Sequence, residues 1–334
     1  MRRQYKHALS LLISAIALIE FTVIVVWWRS ANLQMINIDR NIAQIRVERN
    51  YLSRLLNNAL RSKSQLECKI AELNWSKDGT RVDEKARLGI TNSSEFRDMA
   101  SEAGGWCSPT VNESHYIDKS LAIAIARELA GSTIASFGDG NGAFTLLNSD
   151  VGKTAERYRN AQKSRGAYRE LILNTGLISV YDSYDGAPDI ETATNGTVQF
   201  LDLSVPQYGL PSYDWILSLE VAEHIPRRAE RIYLANINRY CKHGLVLSWA
   251  RPGQLGVGHV NPRNDDYVKN VLQNELCFAR DTNLSNRLRR FAYYPWLRRN
   301  IFAYRKKESC VSKPEIEFQK FSDNSRKFET DETL

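Results

Sequence analysis

The sequence predicts an α/β fold with a mostly parallel sheet over residues 119–307 of the 334-residue chain. Short apolar runs typical of buried strands alternate with stretches of helical periodicity. A glycine-rich turn follows the first apolar run, and two carboxylates and a histidine follow the fourth. Because ligands bind at the carboxyl ends of strands in an open α/β sheet, both features are expected at a binding edge.

Seven runs are predicted as strands, and the intervening segments as helices. The strands are residues 133–137, 177–184, 198–201, 214–218, 245–249, 277–280 and 301–305. The clearest helices are residues 227–240 and 265–274. Strands that alternate with helices are joined by right-handed crossovers, which makes their sheet mostly parallel.

The glycine-rich turn contains Gly138, Gly140 and Gly142. Glycine lets the backbone turn tightly and approach a ligand without interference from a Cβ atom. A G-x-G-x-G pattern alone is a weak signal, and its place between a strand and a helix strengthens it. The third glycine comes one residue too early for the dinucleotide fingerprint, which argues against NAD.

Four further segments are specific: residues 184–187, 200–203, 214–226, and 247–254 with 258–261. Together with the glycine turn they resemble class I S-adenosylmethionine-dependent methyltransferases, in particular an animal branch of methyltransferase-like proteins. The resemblance covers about residues 119–307. It implies a Rossmann-like sheet of seven strands, the last of them antiparallel, and S-adenosylmethionine as the cofactor.

The resemblance also implies which residues bind that cofactor. The glycine turn would hold its methionine part, Asp185 (or failing that Asp182) its ribose, and Asp202 would lie near the adenine. The implied residues are Gly138, Asp139, Gly140, Gly142, Asp185, Asp202 and Glu220. Two departures favour a catalytically inactive domain instead: Ser136 stands where the family usually has an acid, and residues 153–169 form a charged helical insertion.

Glu220, Glu223 and His224 are predicted to share one face of a helical turn, since they are spaced i, i+3 and i+4. His259 follows the neighbouring fifth strand and is expected to join them. Two carboxylates and two imidazoles suit Mg²⁺, Mn²⁺ or Zn²⁺, and similar segments occur in metal-using ubiquinone-pathway and small-RNA O-methyltransferases. The catalytic candidates are therefore His224, Glu223 and His259. In the alternative without metal, the glutamates cap a helix and pair with residues such as Arg227.

The N-terminal region predicts attachment to a membrane. Residues 1–8 would form a cytosolic tail, and residues 9–28, apolar except for Glu20, are long enough to cross a bilayer. A cleaved signal peptide is the rival, but the residues after Trp28 are a poor cleavage site. Basic residues precede the segment, which predicts a type II protein with a lumenal catalytic domain. The order of anchor, stalk and lumenal domain resembles that of Golgi glycan-modifying enzymes, which implies the Golgi or endoplasmic reticulum as the location and a glycan hydroxyl as the first expected acceptor.

Residues 33–73 predict a coiled-coil stalk and a homodimer. The apolar heptad positions are Met35, Ile38, Ile42, Ile45, Leu52, Leu56, Ala59, Leu66, Ile70 and Leu73. Arg49 and Lys63 interrupt them at a positions. The alternative is a single amphipathic helix lying on the catalytic domain.

The remaining segments carry weaker signals. Residues 74–118 are predicted as a linker and residues 308–334 as a disordered tail. The five cysteines lack metal-binding spacing, and their odd number leaves one free or paired between chains. The net charge is +7, and the basic run at residues 280–307 is interpreted as a solvated face rather than a nucleic-acid site.

The sequence therefore favours an S-adenosylmethionine-dependent methyltransferase. The acceptor is expected to be a hydroxyl group of a glycan or a small molecule, because an alcohol needs the base or metal that the Glu/His segment offers. Two alternatives stay open: an inactive methyltransferase-like scaffold that its stalk dimerises, and an RNA 2′-O-methyltransferase.

Overall fold

This computed structural model describes residues 2–77, 101, 104–107, 117–140, 168–256 and 258–307. In the first helix, side chains are described for residues 25, 27–30 and 32–70. The chain divides into two compact units, Met1–Arg54 and Leu55–Leu334. Gly142, most of the 153–169 insertion, most of the 74–118 linker and the 308–334 tail lie outside the described residues.

The first helix, α1, runs from Arg2 to Lys77 and contains the whole predicted stalk. Its apolar heptad side chains from Met35 to Ile70 are exposed, as Ile45 at 63% and Leu52 at 61% illustrate. Among the residues that the structure describes, no helix combines the length and the apolar character that a membrane span requires. The side chains of residues 2–24 are outside the described set, so the anchor stays a prediction.

The second unit contains a seven-stranded sheet with the order β3-β2-β1-β4-β5-β7-β6. The strands are β1 Thr133–Phe137, β2 Val180–Asp185, β3 Val198–Phe200, β4 Tyr213–Ser218, β5 Cys241–Leu247, β6 Phe278–Asp281 and β7 Phe302–Lys306. The first five pair in parallel, and β7 runs antiparallel between β5 and β6. The predicted fold class is thereby confirmed, including the antiparallel last strand.

Short helices connect the strands. They are α2 Lys119–Glu128, α3 Arg169–Leu173, α4 Ile190–Ala193, α5 Glu230–Tyr240, α6 Asp265–Asn270, α7 Thr282–Phe291 and α8 Pro295–Asn300. A 3₁₀ turn, Arg227–Ala229, precedes α5, and a π-helical turn, Val271–Glu275, follows α6. The two longer helices predicted from the sequence are therefore present, with irregular first or last turns.

Two hydrophobic clusters cover the two faces of the sheet. Phe137, Ile216 and Leu245 contribute to one cluster. Ile134, Leu217 and Val246, which point the opposite way along the same strands, contribute to the other. Alternate side chains of a strand point to opposite faces, so β1, β4 and β5 must be apolar on both sides. This explains why the sequence shows them as continuous apolar runs.

The predicted helical turn at residues 220–224 is not a helix. Glu220 has a φ of 57°, in the left-handed region, and a tight turn follows in which the His224 N–H donates to the Val221 carbonyl at 2.9 Å. Pro226 disfavours helical geometry at the residue before it. Helical structure therefore begins only at Arg227. Glu220, Glu223 and His224 consequently do not share one helical face.

The end of α1 lies on the sheet domain within the second unit. Asn57 Nδ2 donates to the Phe200 carbonyl at 2.9 Å, and the Asp202 N–H donates to Asn57 Oδ1 at 3.0 Å. Gln65 donates to Asp189 at 2.9 Å, and Arg61 forms an ion pair with Glu191. Residues 57, 61 and 65 lie one turn apart, so one polar stripe of the helix makes these contacts.

Three of the five cysteines are disulfide-bonded among the described residues. Cys68 of α1 is joined to Cys107, and Cys277 is also in a disulfide. Cys241 is free and buried at the start of β5. The prediction that an odd cysteine count leaves one thiol free is confirmed for this residue.

Candidate active site

The glycine turn closes the carboxyl end of β1 and packs on the turn after β4. The N–H groups of Gly138 and Asp139 both donate to the Tyr184 carbonyl, at 2.8 and 2.9 Å. Gly138 has a φ of 95°, and a Cβ atom there would lie 2.1 Å from a methyl carbon of Val221. Glycine is required at this position both for the left-handed backbone and for the close approach.

Asp185 ends β2 beside this turn. Its Oδ2 accepts the Gly140 N–H and its Oδ1 accepts the Ala187 N–H, at 2.8 and 2.9 Å. Each carboxylate oxygen retains capacity for a further donor. Asp182, the fallback residue, accepts the Tyr213 hydroxyl at 2.7 Å further back in the strand. Of the two acids, Asp185 is therefore the one that lies beside the glycine turn.

Asp202 follows β3 and is buried. Its Oδ1 accepts the N–H and the hydroxyl of Ser204, at 2.8 and 2.6 Å. Burial raises the pKa of this carboxyl, and the Ser204 hydrogen bonds oppose that rise. Its backbone N–H donates to Asn57 Oδ1, although Asn57 was predicted to belong to the stalk and not to the site.

Asp139 lies between Gly138 and Gly140 and attaches the glycine turn to the protein interior. It is buried, and its Oδ1 accepts the Tyr181 hydroxyl at 3.1 Å and the Tyr168 N–H at 3.4 Å. Burial raises its pKa, and the hydroxyls of Ser183 and Ser136 lower it. An acid at position 136 would place a second charge beside this buried carboxylate. The unusual Ser136 is therefore compatible with an intact turn.

The structure brings together Glu223, His224 and His259. Their ligand atoms all lie within 4.8 Å of one another, and His259 Nε2 is 3.9 Å from Glu223 Oε1. The N–H groups of Val260 and Asn261 both donate to the Glu223 carbonyl at 2.9 Å, which ties the loop after β5 to the turn after β4. The expectation that His259 would join the cluster is confirmed.

Glu220 does not join the metal-ligand cluster, contrary to the sequence expectation. Its left-handed φ turns its side chain to Ser248, whose hydroxyl donates to Glu220 Oε1 at 2.7 Å. The glutamates do not cap the following helix either, since the 3₁₀ turn that begins after Pro226 has no side-chain cap. Glu220 remains close enough to Glu223 to influence its pKa.

Glu223 is electrostatically unusual. It is 0% exposed, and neither carboxylate oxygen has a hydrogen-bond partner of good geometry in the part of the chain that the structure describes. Burial raises its pKa well above the ordinary value, and the nearby Glu220 adds to the rise. A buried carboxylate without a partner is costly unless it binds a proton or a cation.

The two imidazoles are oriented by backbone carbonyls. His224 Nδ1 lies 3.1 Å from the Gly258 oxygen, and His259 Nδ1 lies 3.3 Å from the Gln254 oxygen. A carbonyl only accepts, so each Nδ1 carries the proton and each Nε2 carries the lone pair. Burial lowers the pKa of His259, which keeps it neutral. Imidazoles oriented by backbone carbonyls beside a buried carboxylate that lacks a hydrogen-bond partner fit a divalent transition-metal ion.

A segment outside the predicted domain also borders the site. Gly104, Gly105 and Trp106 pack against His224 and the loop after Asp185. These residues were predicted to belong to a linker, because glycines without periodicity predict no regular element. The nearby Cys107 was the available signal, but its pairing could not be deduced from spacing.

The basic run at residues 280–307 is largely engaged within the domain. Arg280 bonds to Asp265 and stacks on Phe302, while Arg305 bonds to Asp281 at 2.7 Å. Lys306 donates to the carbonyl oxygens of Asn238 and Cys241. These contacts agree with the interpretation of the run as a face beside the last strand.

Comparison with known proteins gives structural neighbours only. No protein-family model matches the chain, and no curated protein matches it. Among similar solved structures is magnesium protoporphyrin IX methyltransferase from Synechocystis PCC 6803, with 15% identity, coverage of 57% of this chain and 77% of that chain, and a TM-score of 0.35. The N-methyltransferase NodS from Bradyrhizobium japonicum WM9 has 12% identity, coverage of 57% and 94%, and a TM-score of 0.37. Likeness at this level carries no residue role or substrate over to this chain.

Proposed function

We propose that the protein is an S-adenosylmethionine-dependent methyltransferase that acts on a hydroxyl group. The observation that carries this proposal is the contact between Gly138 and Val221. It joins the glycine turn, whose Gly140 N–H donates to Asp185, to the turn after β4 that carries Glu223 and His224. The residues proposed to bind the donor and to accept the proton therefore belong to loops at the carboxyl edge of one parallel sheet, where ligands bind.

The cofactor would bind across the ends of β1, β2 and β3. Asp185, fixed by the Gly140 and Ala187 N–H groups, accepts from the ribose hydroxyls. The turn at Gly138 and Gly140 contacts the methionine part without side-chain interference. The sulfonium is an activated methyl donor, so the protein contributes mainly by holding donor and acceptor in line.

The acceptor hydroxyl must lose a proton as its oxygen attacks the methyl carbon. His224 can take it on Nε2, because its Nδ1 proton is donated to the Gly258 carbonyl. His259 presents the same tautomer beside it, with ring centroids 5.3 Å apart. This pair of histidines supplies the base that methylation of an oxygen requires. A site that only holds the donor and the acceptor in line would lack such a base.

In an alternative arrangement, Glu223, His224 and His259 hold a divalent metal ion, and the Nε2 lone pairs then serve as its ligands instead of as the base. When bound there, such an ion would lower the pKa of the acceptor hydroxyl and neutralise the Glu223 carboxylate. The three residues offer one carboxylate and two imidazoles, which favours Zn²⁺ or Mn²⁺ over Mg²⁺. The unpartnered oxygens of Glu223 support this assignment.

We further propose a lumenal location for the catalytic domain, with a glycan or small-molecule hydroxyl as the acceptor. The Cys68–Cys107 disulfide and the bonded Cys277 support an oxidising compartment. Asn195 and Asn283 begin exposed glycosylation sequons. Glycosidase treatment should increase the gel mobility of the protein from animal cells, and replacing both residues with Gln should abolish that change. A protein without N-linked glycans at these residues would argue against a lumenal location of the catalytic domain.

Calorimetric titration with S-adenosylmethionine, with and without Mn²⁺, tests the catalytic proposal. The oxidised protein should bind the cofactor, and Asp185→Asn should weaken binding by about 1–3 kcal/mol through lost charge-assisted hydrogen bonds. Asp266→Asn, an exposed acid outside the site, is the matched control. Absence of binding in the unaltered protein would instead support the inactive scaffold.

A further inference from the structure

Residues 104–107, here called the strap, pack against both halves of the candidate site. A Cβ atom on Gly105 would lie 1.9 Å from the Gly186 carbonyl oxygen, in the loop that follows Asp185. A Cβ atom on Gly104 would lie 2.4 Å from the His224 carbonyl oxygen. The strap backbone therefore contacts the ribose-side loop and the catalytic turn at once, at distances that only glycine permits.

Trp106 extends this contact to the His224 side chain. Its ring meets the imidazole edge to face, with centroids 5.6 Å apart. It also lies on Gly258, where an added Cβ atom would be 3.1 Å from the indole. Since the Gly258 carbonyl holds His224 Nδ1, the indole and this carbonyl together fix the imidazole.

The strap is covalently attached to α1. Cys107 forms a disulfide with Cys68, which is 39 residues away in sequence. The α1 segment that carries Cys68 is itself held on the sheet domain by Asn57, Arg61 and Gln65. The disulfide thus joins a helix docked beside Asp202 to a strap docked beside Asp185 and His224.

We propose that the strap is a positioning element of the active site and that the Cys68–Cys107 disulfide holds it in place. This inference rests on the proposed methyltransferase function. A dithiol would reduce the bond by supplying two electrons and two protons to the sulfur atoms of Cys68 and Cys107, and would itself become a disulfide. The released strap then no longer supports Asp185 and His224, so the site is complete only under oxidising conditions.

Removal of this disulfide alone is the first test. In the full-length Cys68→Ser, Cys107→Ser variant, amide exchange at Ala187 and His224 should become at least about tenfold faster, because their turns lose a packing partner. The dissociation constant for S-adenosylmethionine should rise about tenfold, and kcat should fall further. The matched control is Cys277→Ser, which removes the disulfide that contains Cys277. This variant should leave amide exchange at Ala187 and His224 unchanged.

Glycine substitutions test the strap without touching the disulfide. Gly104→Ala adds a Cβ atom that meets the His224 backbone, whereas Gly131→Ala adds one to open space at a similar left-handed φ, 85° against 78°. Both variants bear the same backbone strain, so a difference between them reports the contact. Gly104→Ala should reproduce the exchange and affinity changes of the cysteine variant, and Gly131→Ala should not.

Trp106 gives a readout that a purely structural role would not move. Trp106→Ala should lower kcat more than it weakens S-adenosylmethionine binding, because the indole positions the His224 imidazole, and Trp106→Phe should largely restore kcat. Unchanged amide exchange in both the cysteine and the Gly104→Ala variants would overturn the proposal. Absence of cofactor binding in unaltered protein would overturn the proposed function, while the exchange data would still decide the role of the strap.

Discussion

At the scale of single residues, Glu223 carries the most chemical information. It is fully buried, its pKa is raised by burial and by Glu220, and its oxygens are unpartnered among the described residues. We expect Glu223→Gln to lose most bound divalent metal and at least about tenfold in kcat, with partial recovery in excess Mn²⁺. Metal analysis and initial rates measure both effects. Glu128→Gln, in a surface ion pair with Arg287, is the control, and retained metal in Glu223→Gln would contradict the assignment.

The histidines separate the metal role from the base role. His224→Ala should lose activity with or without added metal, because it removes either a ligand or the proton acceptor. Activity that is insensitive to chelators would eliminate the metal and leave His224 as the base. Full activity in the His224→Ala, His259→Ala double variant, measured as initial rate, would eliminate both roles and leave positioning alone.

Asp139 predicts a pH-dependent stability difference. Burial raises its folded pKa above 3.8, so the folded state holds this proton more tightly than the unfolded state. Stability from the protonated carboxyl is therefore present below about pH 4 and lost as pH rises through the folded pKa. Asp139→Asn should gain stability relative to the unaltered protein between pH 4 and pH 7. Urea unfolding at pH 4 and pH 7 measures the free energy of unfolding of both proteins. An equal change in this free energy between the two pH values in both proteins would contradict the prediction.

The residue-level site was partly predictable from sequence. Residues after neighbouring parallel strands meet at one sheet edge, which predicts the grouping of Glu223, His224 and His259. Glu220 was misplaced because its positive φ cannot be inferred from spacing. Asn57 and Trp106 were missed because their contacts join residues more than 100 positions apart, without a local periodic pattern.

At the scale of elements, α1 presents two different faces. Asn57, Arg61, Ser64 and Cys68 recur at helical spacing and are turned to the domain, whereas Leu56 and Leu66 of the heptad stripe remain exposed. At 3.6 residues per turn these stripes lie on roughly opposite sides of the helix. The heptad pattern could be predicted from the sequence because its residues are apolar. The residues that face the domain are polar or small, so they produce no hydrophobic periodicity that would predict their contacts.

We expect Asn57→Ala to reveal the docking of α1. The substitution removes the three hydrogen bonds that the Asn57 side-chain amide forms with the Phe200 carbonyl, the Asp202 N–H and the Gln207 side chain. Leaving such groups unpaired costs about 1–3 kcal/mol of unfolding free energy, and the loosened Asp202 loop should weaken cofactor binding. Asn58→Ala, on the exposed neighbouring position, is the control. Equal denaturation midpoints for the two variants would contradict this docking.

Strand boundaries were predicted well where both faces are buried and poorly at polar ends. β1 matches its prediction, because every residue after Thr133 in it is buried. β5 begins at Cys241, four residues before the predicted start, with exposed Lys242 and His243 included. Pairing with β4 extends the strand there, and backbone pairing leaves no hydrophobic signal in the sequence.

At the scale of the whole molecule, the exposed apolar heptad positions of α1 predict a partner that covers them. Apolar a and d positions stay exposed along α1, including Ile42 at 42% and Ile45 at 63%. We propose that a second copy of this chain covers them in a parallel coiled coil. The continuous heptad repeat favours a helical partner, since a knobs-into-holes seam requires that period. Within the second unit, Asn57 and Arg61 contact the sheet domain, and Leu56 and Leu66 of the seam stay exposed on the opposite face of α1.

A fragment of residues 33–334 should therefore sediment as a dimer at micromolar concentration. Replacing Ile42 and Leu56 with Asp should give monomers, because each chain would bring unpaired carboxylates into the apolar seam. Arg40→Asp, Arg54→Asp places the same side chains at f positions, which face away from the seam, and should stay dimeric despite a larger change in charge. Cofactor affinity should be unchanged in both variants, since Asn57 and Cys68 lie on the other face. A monomeric unaltered fragment, or dissociation by the f-position variant alone, would rule out this arrangement of the stalk.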